Sequence, residues 1–239
     1  DQAMAFITEQ GDKPWCLHLS FIKPHWPYIA AAPYHAMYSE QSMIAPVRSE
    51  EERRDPNPVY GAFMKHQDSQ SFARDEVRRA VIPTYMGLVK QIDDHLGRIM
   101  TYLESSGRLR DTLIVFTSDH GDYLGDHWLG EKELFHEPSA RVPLIVVDPS
   151  ASADATRGSS DARLCEGIDI LPTLLDALGV PVPAHRLEGR SLMPGIRSQA
   201  NALTQTWREA AFSEIDYALY RARLTLGVAP HQARAYMLR

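Results

Sequence analysis

The stretch DTLIVFTSDHGDYLGDHWLGEKELFHE, residues 111–137, decides how this chain is read. Its first part, 111–118, is a short apolar run rich in β-branched residues, the pattern of a buried strand. Its second part carries the densest chemistry: from Asp119 to Glu137, ten of nineteen residues are Asp, Glu, His or Lys. Position matters more than the count. Asp119 and His120 follow directly on the strand, and open α/β sheets bind ligands beyond the carboxyl ends of their strands. A carboxylate beside an imidazole suits one divalent ion, with Mn, Ca, Mg and Zn not distinguished by these residues. Gly121 lets the backbone turn sharply at that point. The plainer alternative is a polar loop in which Asp119 caps the next helix and His120 is merely exposed.

Working outward, the clearest helix is predicted over 84–105. Tyr85, Leu88, Val89, Ile92, Leu96, Ile99, Met100 and Leu103 form one apolar stripe, and Gly107 closes it. Asp94 stands four residues before Arg98, a favourable surface pairing. Helix followed by apolar strand is the rhythm of a mostly parallel α/β sheet. Residues 142–147 (VPLIVV) read as a further strand, and 169–178 as a second helix with Pro172 in its first turn and Gly179 past its end. Residues 15–22 (WCLHLSFI) read as a buried strand. The segment 30–75, with Pro33, Pro46, Pro56 and Pro58, is a long irregular excursion, either a functional lid or a solvated insertion. The chain opens as the last turns of a helix stopped by Gly11. It closes on an alternating apolar segment, and a turn of helix is expected near 201–211 with strands beyond it.

Two further side chains are candidates. His25 follows the 15–22 run in the sequence Lys23-Pro24-His25-Trp26-Pro27, where two prolines fix an extended loop able to hold a general acid in place. The plainer role is packing beside Trp26. Lys132 would ordinarily be a solvated charge, but it lies where an ammonium could neutralise a bound anion. The net charge of -6 argues against nucleic acid. No apolar stretch approaches the roughly 20 residues of a membrane helix, and no signal-peptide pattern opens the chain, so a cytoplasmic location is favoured. The two cysteines, Cys16 and Cys165, form no disulfide framework and no zinc spacing.

These motifs together resemble the sulfatase branch of the alkaline phosphatase superfamily, which includes arylsulfatases and phosphonate monoester hydrolases. The resemblance rests on FIKPHWPY at 21–28, FTSDHGDYLGDHWLGEK at 116–132 and RVPLIV at 141–146. The pair GIDILPTLLDALGV at 167–180 and LEGRSLMP at 187–194 completes it. It implies a partial alkaline-phosphatase-like α/β fold, a mostly parallel sheet flanked by helices, and a small anionic ester as substrate. It matches Asp119 and His120 to a late pair of metal ligands, His25 to the histidine that protonates the leaving oxygen, and Lys132 to the lysine that binds sulfuryl or phosphoryl oxygens. Lys23 and His127 would stand behind them.

One departure is plain. The family's nucleophile is a formylglycine made in a Cys-x-Pro-Ser-Arg motif, whereas Cys16 is followed by Leu-His-Leu and Cys165 by Glu-Gly-Ile. The resemblance therefore implies that 1–195 is the later half of a catalytic domain, with 30–75 an insertion. Residues 196–239 would begin a smaller carboxyl-terminal α+β region. Formylglycine is then expected in an amino-terminal half not present, and that half or another copy of the chain is the expected partner. The alternative is a catalytically inert piece that only binds metal or another chain.

Overall fold

The computed structural model describes residues 1–198 and 207–239. In chain order its helices are α1 (Gln2–Gln10), α2 (Glu50–Arg54), α3 (Pro58–Phe63), α4 (Gln67–Phe72), α5 (Asp75–Ser105), α6 (Glu137–Ala140), α7 (Ile170–Ala177), α8 (Met193–Ile196) and α9 (Arg221–Leu226). The strands are β1 (Ile114–Thr117), β2 (Leu144–Val147), β3 (Phe212–Asp216) and β4 (Arg234–Leu238). They divide between two compact units. The first holds Asp1–Pro56, Phe63–Arg110 and Tyr123–Glu131, and the second Asn57–Ala62, Asp111–Asp122 and Lys132–Arg239.

The first unit is organised by α5, which is longer than its apolar stripe predicts. Pro83 marks no boundary: it lies buried inside the helix, and the Thr84 hydroxyl donates to Ala80 O at 3.2 Å. A proline deletes one helical hydrogen bond, and here flanking residues carry the helix through. Leu88 and Leu103 are buried on its inner face together with Ile7 of α1. Thr8 and Tyr102 join the two helices through their hydroxyls at 2.6 Å. At Gly87 the helix touches backbone, since a Cβ there would lie 2.3 Å from Tyr34 O. The expected Asp94–Arg98 pair does not form. Asp94 bonds Lys90, four residues before it on the same helix, and the Tyr34 hydroxyl, while Arg98 reaches Asp1, so both charges of a pair worth only a few tenths of a kcal/mol are taken by other partners.

The excursion 30–75 is more regular than its prolines suggest, holding α2–α4 and two 3₁₀ turns, Tyr34–Ala36 and Glu40–Ser42. The run 15–22 is not a strand. It joins no ladder among the described residues, and Leu19, Phe21 and Ile22 are exposed, Ile22 at 81%. A β pattern needs a partner to become a strand.

In the second unit β1 pairs with β2 and β3 with β4, both antiparallel, with Ile114 opposite Val147 and Phe212 opposite Leu238. The ladder inside this chain therefore runs opposite to the parallel pairing that the helix–strand rhythm suggests. Helix α7 falls where expected, with Gly179 at φ 68 past its end. Of the helical turn expected near 201–211, residues 201–206 lie outside those described and 207–211 are not helical. Among the described residues no helix is long and apolar enough to cross a membrane.

Candidate active site

Strand β1 delivers Ser118, Asp119 and His120 at its carboxyl end, and local hydrogen bonds set their atoms. The His120 N–H donates to Asp119 Oδ1 at 2.9 Å, and the Ser118 hydroxyl donates to His120 O at 2.7 Å. Burial opposes the Asp119 charge. The His120 N–H and imidazole, with the Ser118 hydroxyl, outweigh it and hold the carboxyl below the usual carboxylate range. His120 Nδ1 lies 2.8 Å from Gly121 O, and a carbonyl only accepts, so Nδ1 carries the proton and Nε2 is the donor atom left for a metal. Asp119 Oδ2 and His120 Nε2 are 3.4 Å apart. That is about the edge of a coordination shell with metal–ligand bonds of ~2.0–2.2 Å, so the pair fits one divalent ion.

Gly121 is required here for space. Its N–H donates to Ser139 O at 2.8 Å, and an added Cβ would lie 1.9 Å from Pro138 O. Because the obstacle is backbone, Gly121→Ala is expected to destabilise the protein by about 1–3 kcal/mol, the usual cost of overpacking. Urea unfolding checks this, and an unchanged midpoint would mean that the turn has slack.

Lys132 belongs to the same unit, half-buried, with its N–H 3.1 Å from Glu133 Oε2. Lys23, His25 and His127 belong to the first unit. The His25 N–H donates to Ile22 O at 3.1 Å and its Nδ1 lies 2.8 Å from Trp26 O. Lys23 Nζ donates to the carbonyls of Pro27 and His25, so this lysine staples the proline loop around His25.

His127 lies in a loop that sequence reasoning did not resolve. Residues 123–131 include Leu124, Gly125, His127, Trp128 and Glu131 at positive φ, a conformation that costs non-glycine residues about 1–3 kcal/mol each. Side chains from 47–78 hold it. His127 Nδ1 meets Glu52 Oε1 at 2.6 Å, Trp128 Nε1 donates to Ser49 O at 2.7 Å, and Arg78 Nε donates to Leu124 O at 3.2 Å. The guanidinium groups of Arg48 and Arg53 stand 4.1 and 4.7 Å from the Trp128 ring centre. Glu52, Arg78 and Ser139 carried no signal in the sequence, since each is a common residue type far along the chain from what it touches.

The sulfatase family model matches residues 1–180. A multifunctional alkaline phosphatase superfamily protein, PehA of Trinickia caryophylli, is 37% identical over 91% of this chain and 43% of its own length. An arylsulfatase of Clostridium perfringens is 32% identical over 90% of this chain, again 43% of its own length. Among solved structures, the phosphonate monoester hydrolase of Agrobacterium radiobacter matches all of this chain and 49% of its own, at TM-score 0.87 and 31% identity. That of Silicibacter pomeroyi matches 99% and 49%, at TM-score 0.84 and 30% identity. The chain thus spans about half the length of the relatives it matches. The strand-end Asp119-His120 pair sits in a run already similar to that superfamily, and the matched region takes in three quarters of the chain. The chain belongs to the sulfatase family, in the alkaline phosphatase superfamily.

Proposed function

We propose that this chain supplies part of the active site of a metal-dependent hydrolase of sulfate or phosphonate/phosphate esters. The observation that carries the reading is the Asp119–His120 pair. One carboxylate is kept ionised and one imidazole is fixed in the tautomer a metal needs, with donor atoms 3.4 Å apart. The names of the relatives, an arylsulfatase and phosphonate monoester hydrolases, support the substrate class. A divalent ion held by Asp119 and His120, when bound, would neutralise charge on the transferred group and lower the pKa of a nucleophile beside it.

The remaining roles fall to side chains of the chain itself. Lys132 holds an anionic oxygen of the ester through its ammonium. His25 gives a proton to the leaving oxygen, and since its Nδ1 faces Trp26 O, the proton exchanged is the one on Nε2. The Lys23 staple keeps that ring in place. Neither Cys16 nor Cys165 has the Pro-Ser-Arg sequel, so formylglycine is assigned to no residue of this chain.

The test uses the native polypeptide with Mn²⁺ on 4-nitrophenyl sulfate, a phenylphosphonate monoester and bis(4-nitrophenyl) phosphate. Turnover of at least one is expected, lost on chelation and restored by metal. No turnover of any of the three would retire the reading.

A further inference from the structure

We infer that Ser139 is a positioning residue that sets the anion-binding lysine relative to the metal-ligand pair; this rests on the hydrolase reading above. Ser139 lies in α6 and is 3% exposed. Its two oxygens serve two different places in the second unit. The carbonyl accepts from the Gly121 N–H at 2.8 Å, one residue past His120. The hydroxyl donates to the backbone carbonyl of Lys132.

The connectivity gives this double tie its meaning. The chain leaves the second unit after Asp122 and re-enters it at Lys132, and residues 123–131 belong to the first unit. Ser139 therefore closes the base of that excursion, holding the outgoing strand end and the returning lysine on one buried side chain and its own carbonyl. At the start of the helix that carries it, Glu137 pairs with Arg141 just past the helix's end and with Arg239. The contact at Gly121, where no Cβ fits, shows how tightly the outgoing side is seated against Pro138 and Ser139. Removing the hydroxyl leaves the Gly121 tie intact, because that bond uses the carbonyl. Only the Lys132 side is released.

A hydroxyl that merely satisfied a buried carbonyl would contribute to stability alone. A positioning hydroxyl acts through Lys132, and the two roles separate in a double-mutant cycle. In the native polypeptide loaded with Mn²⁺, inorganic phosphate binding is measured by calorimetry for wild type, Ser139→Ala, Ser139→Thr, Lys132→Ala and the double Ala variant. Ser139→Ala is expected to weaken phosphate by about 3–10-fold, the reach of one hydrogen bond, and to have little further effect once Lys132 is alanine. Ser139→Thr, which keeps the hydroxyl, is expected to restore binding.

Equal weakening in both backgrounds, no weakening, or a wild type that does not bind phosphate would overturn the inference. Hydrogen exchange over 131–136 gives a second readout that does not depend on the lysine charge. It is expected to quicken in Ser139→Ala, and unchanged protection would also overturn the inference. Turnover is scored apart from these. A wild type that binds phosphate but hydrolyses none of the three esters retires the hydrolase reading and leaves the Ser139 cycle to be decided by binding.

Discussion

Alanine at Lys132, and separately at His25, is expected to lower kcat/KM for the best ester substrate by about 10²–10⁴, or ~2.7–5.5 kcal/mol of transition-state stabilisation. The two losses have different signatures. Lys132 acts on charge at the transferred group, so its cost is expected to be similar for every leaving group. His25 acts on the leaving oxygen, so its cost is expected to shrink for 4-nitrophenol, whose anion departs without help, and to reach the full range for an alkyl leaving group. A leaving-group series on both variants, with folding checked by thermal unfolding, reads this difference. Wild-type rates in either variant would remove that residue from the site. A His25→Ala loss that ignored the leaving group would remove the general-acid role while leaving His25 near the ester.

What the sequence disclosed depended on whether the deciding information was local. Gly11 and Gly179 mark helix ends because a positive φ is a property of one residue that glycine adopts without steric cost, and both have it. The strand that ends just before Asp119 and His120 was legible because its apolar run is a local pattern. The failures are non-local. The run 15–22 has the composition of a strand, but pairing depends on a neighbour that no residue within it can specify. The direction of the β1–β2 ladder is likewise a property of two strands and the path between them. The expected helix began at residue 84 with its apolar stripe, whereas α5 starts at Asp75 and carries Pro83 inside it, a continuation that the stripe does not specify. The site follows the same division. The groups proposed to meet the ester are unusual residues in short motifs, whereas Ser139, Glu52 and Arg78 act through contacts that only folding creates.

The largest stability loss is expected from Arg208→Ala, about 3–5 kcal/mol by urea unfolding. Arg208 makes a bidentate pair with Asp169, both nitrogens at 2.6 Å, and reaches Glu166 Oε2 at 2.8 Å. Asp169 is fully buried, and its carboxylate also accepts from the backbone N–H groups of Glu166 and Arg190, at 2.8 Å each. Its own carbonyl receives the Thr173 hydroxyl inside α7. One residue thus closes the capping box of the 3₁₀ turn Gly167–Asp169 that leads into α7, ties down residue 190 and anchors Arg208. Truncating the arginine leaves that charge in the interior with no cation, which costs more than the pair contributes. Arg208→Lys keeps the charge but not the planar fork, so a smaller loss of about 1–3 kcal/mol is expected. Replacing both partners with apolar residues is not expected to recover stability here, although it often does for a simple buried pair. The two backbone N–H groups on Asp169 would lose their acceptor and become the buried, unsatisfied groups in their turn. A double Arg208→Met/Asp169→Leu variant as stable as wild type would show that the carboxylate serves the arginine alone. A double variant no more stable than Arg208→Ala would show that the backbone cap is the larger part of what this residue does.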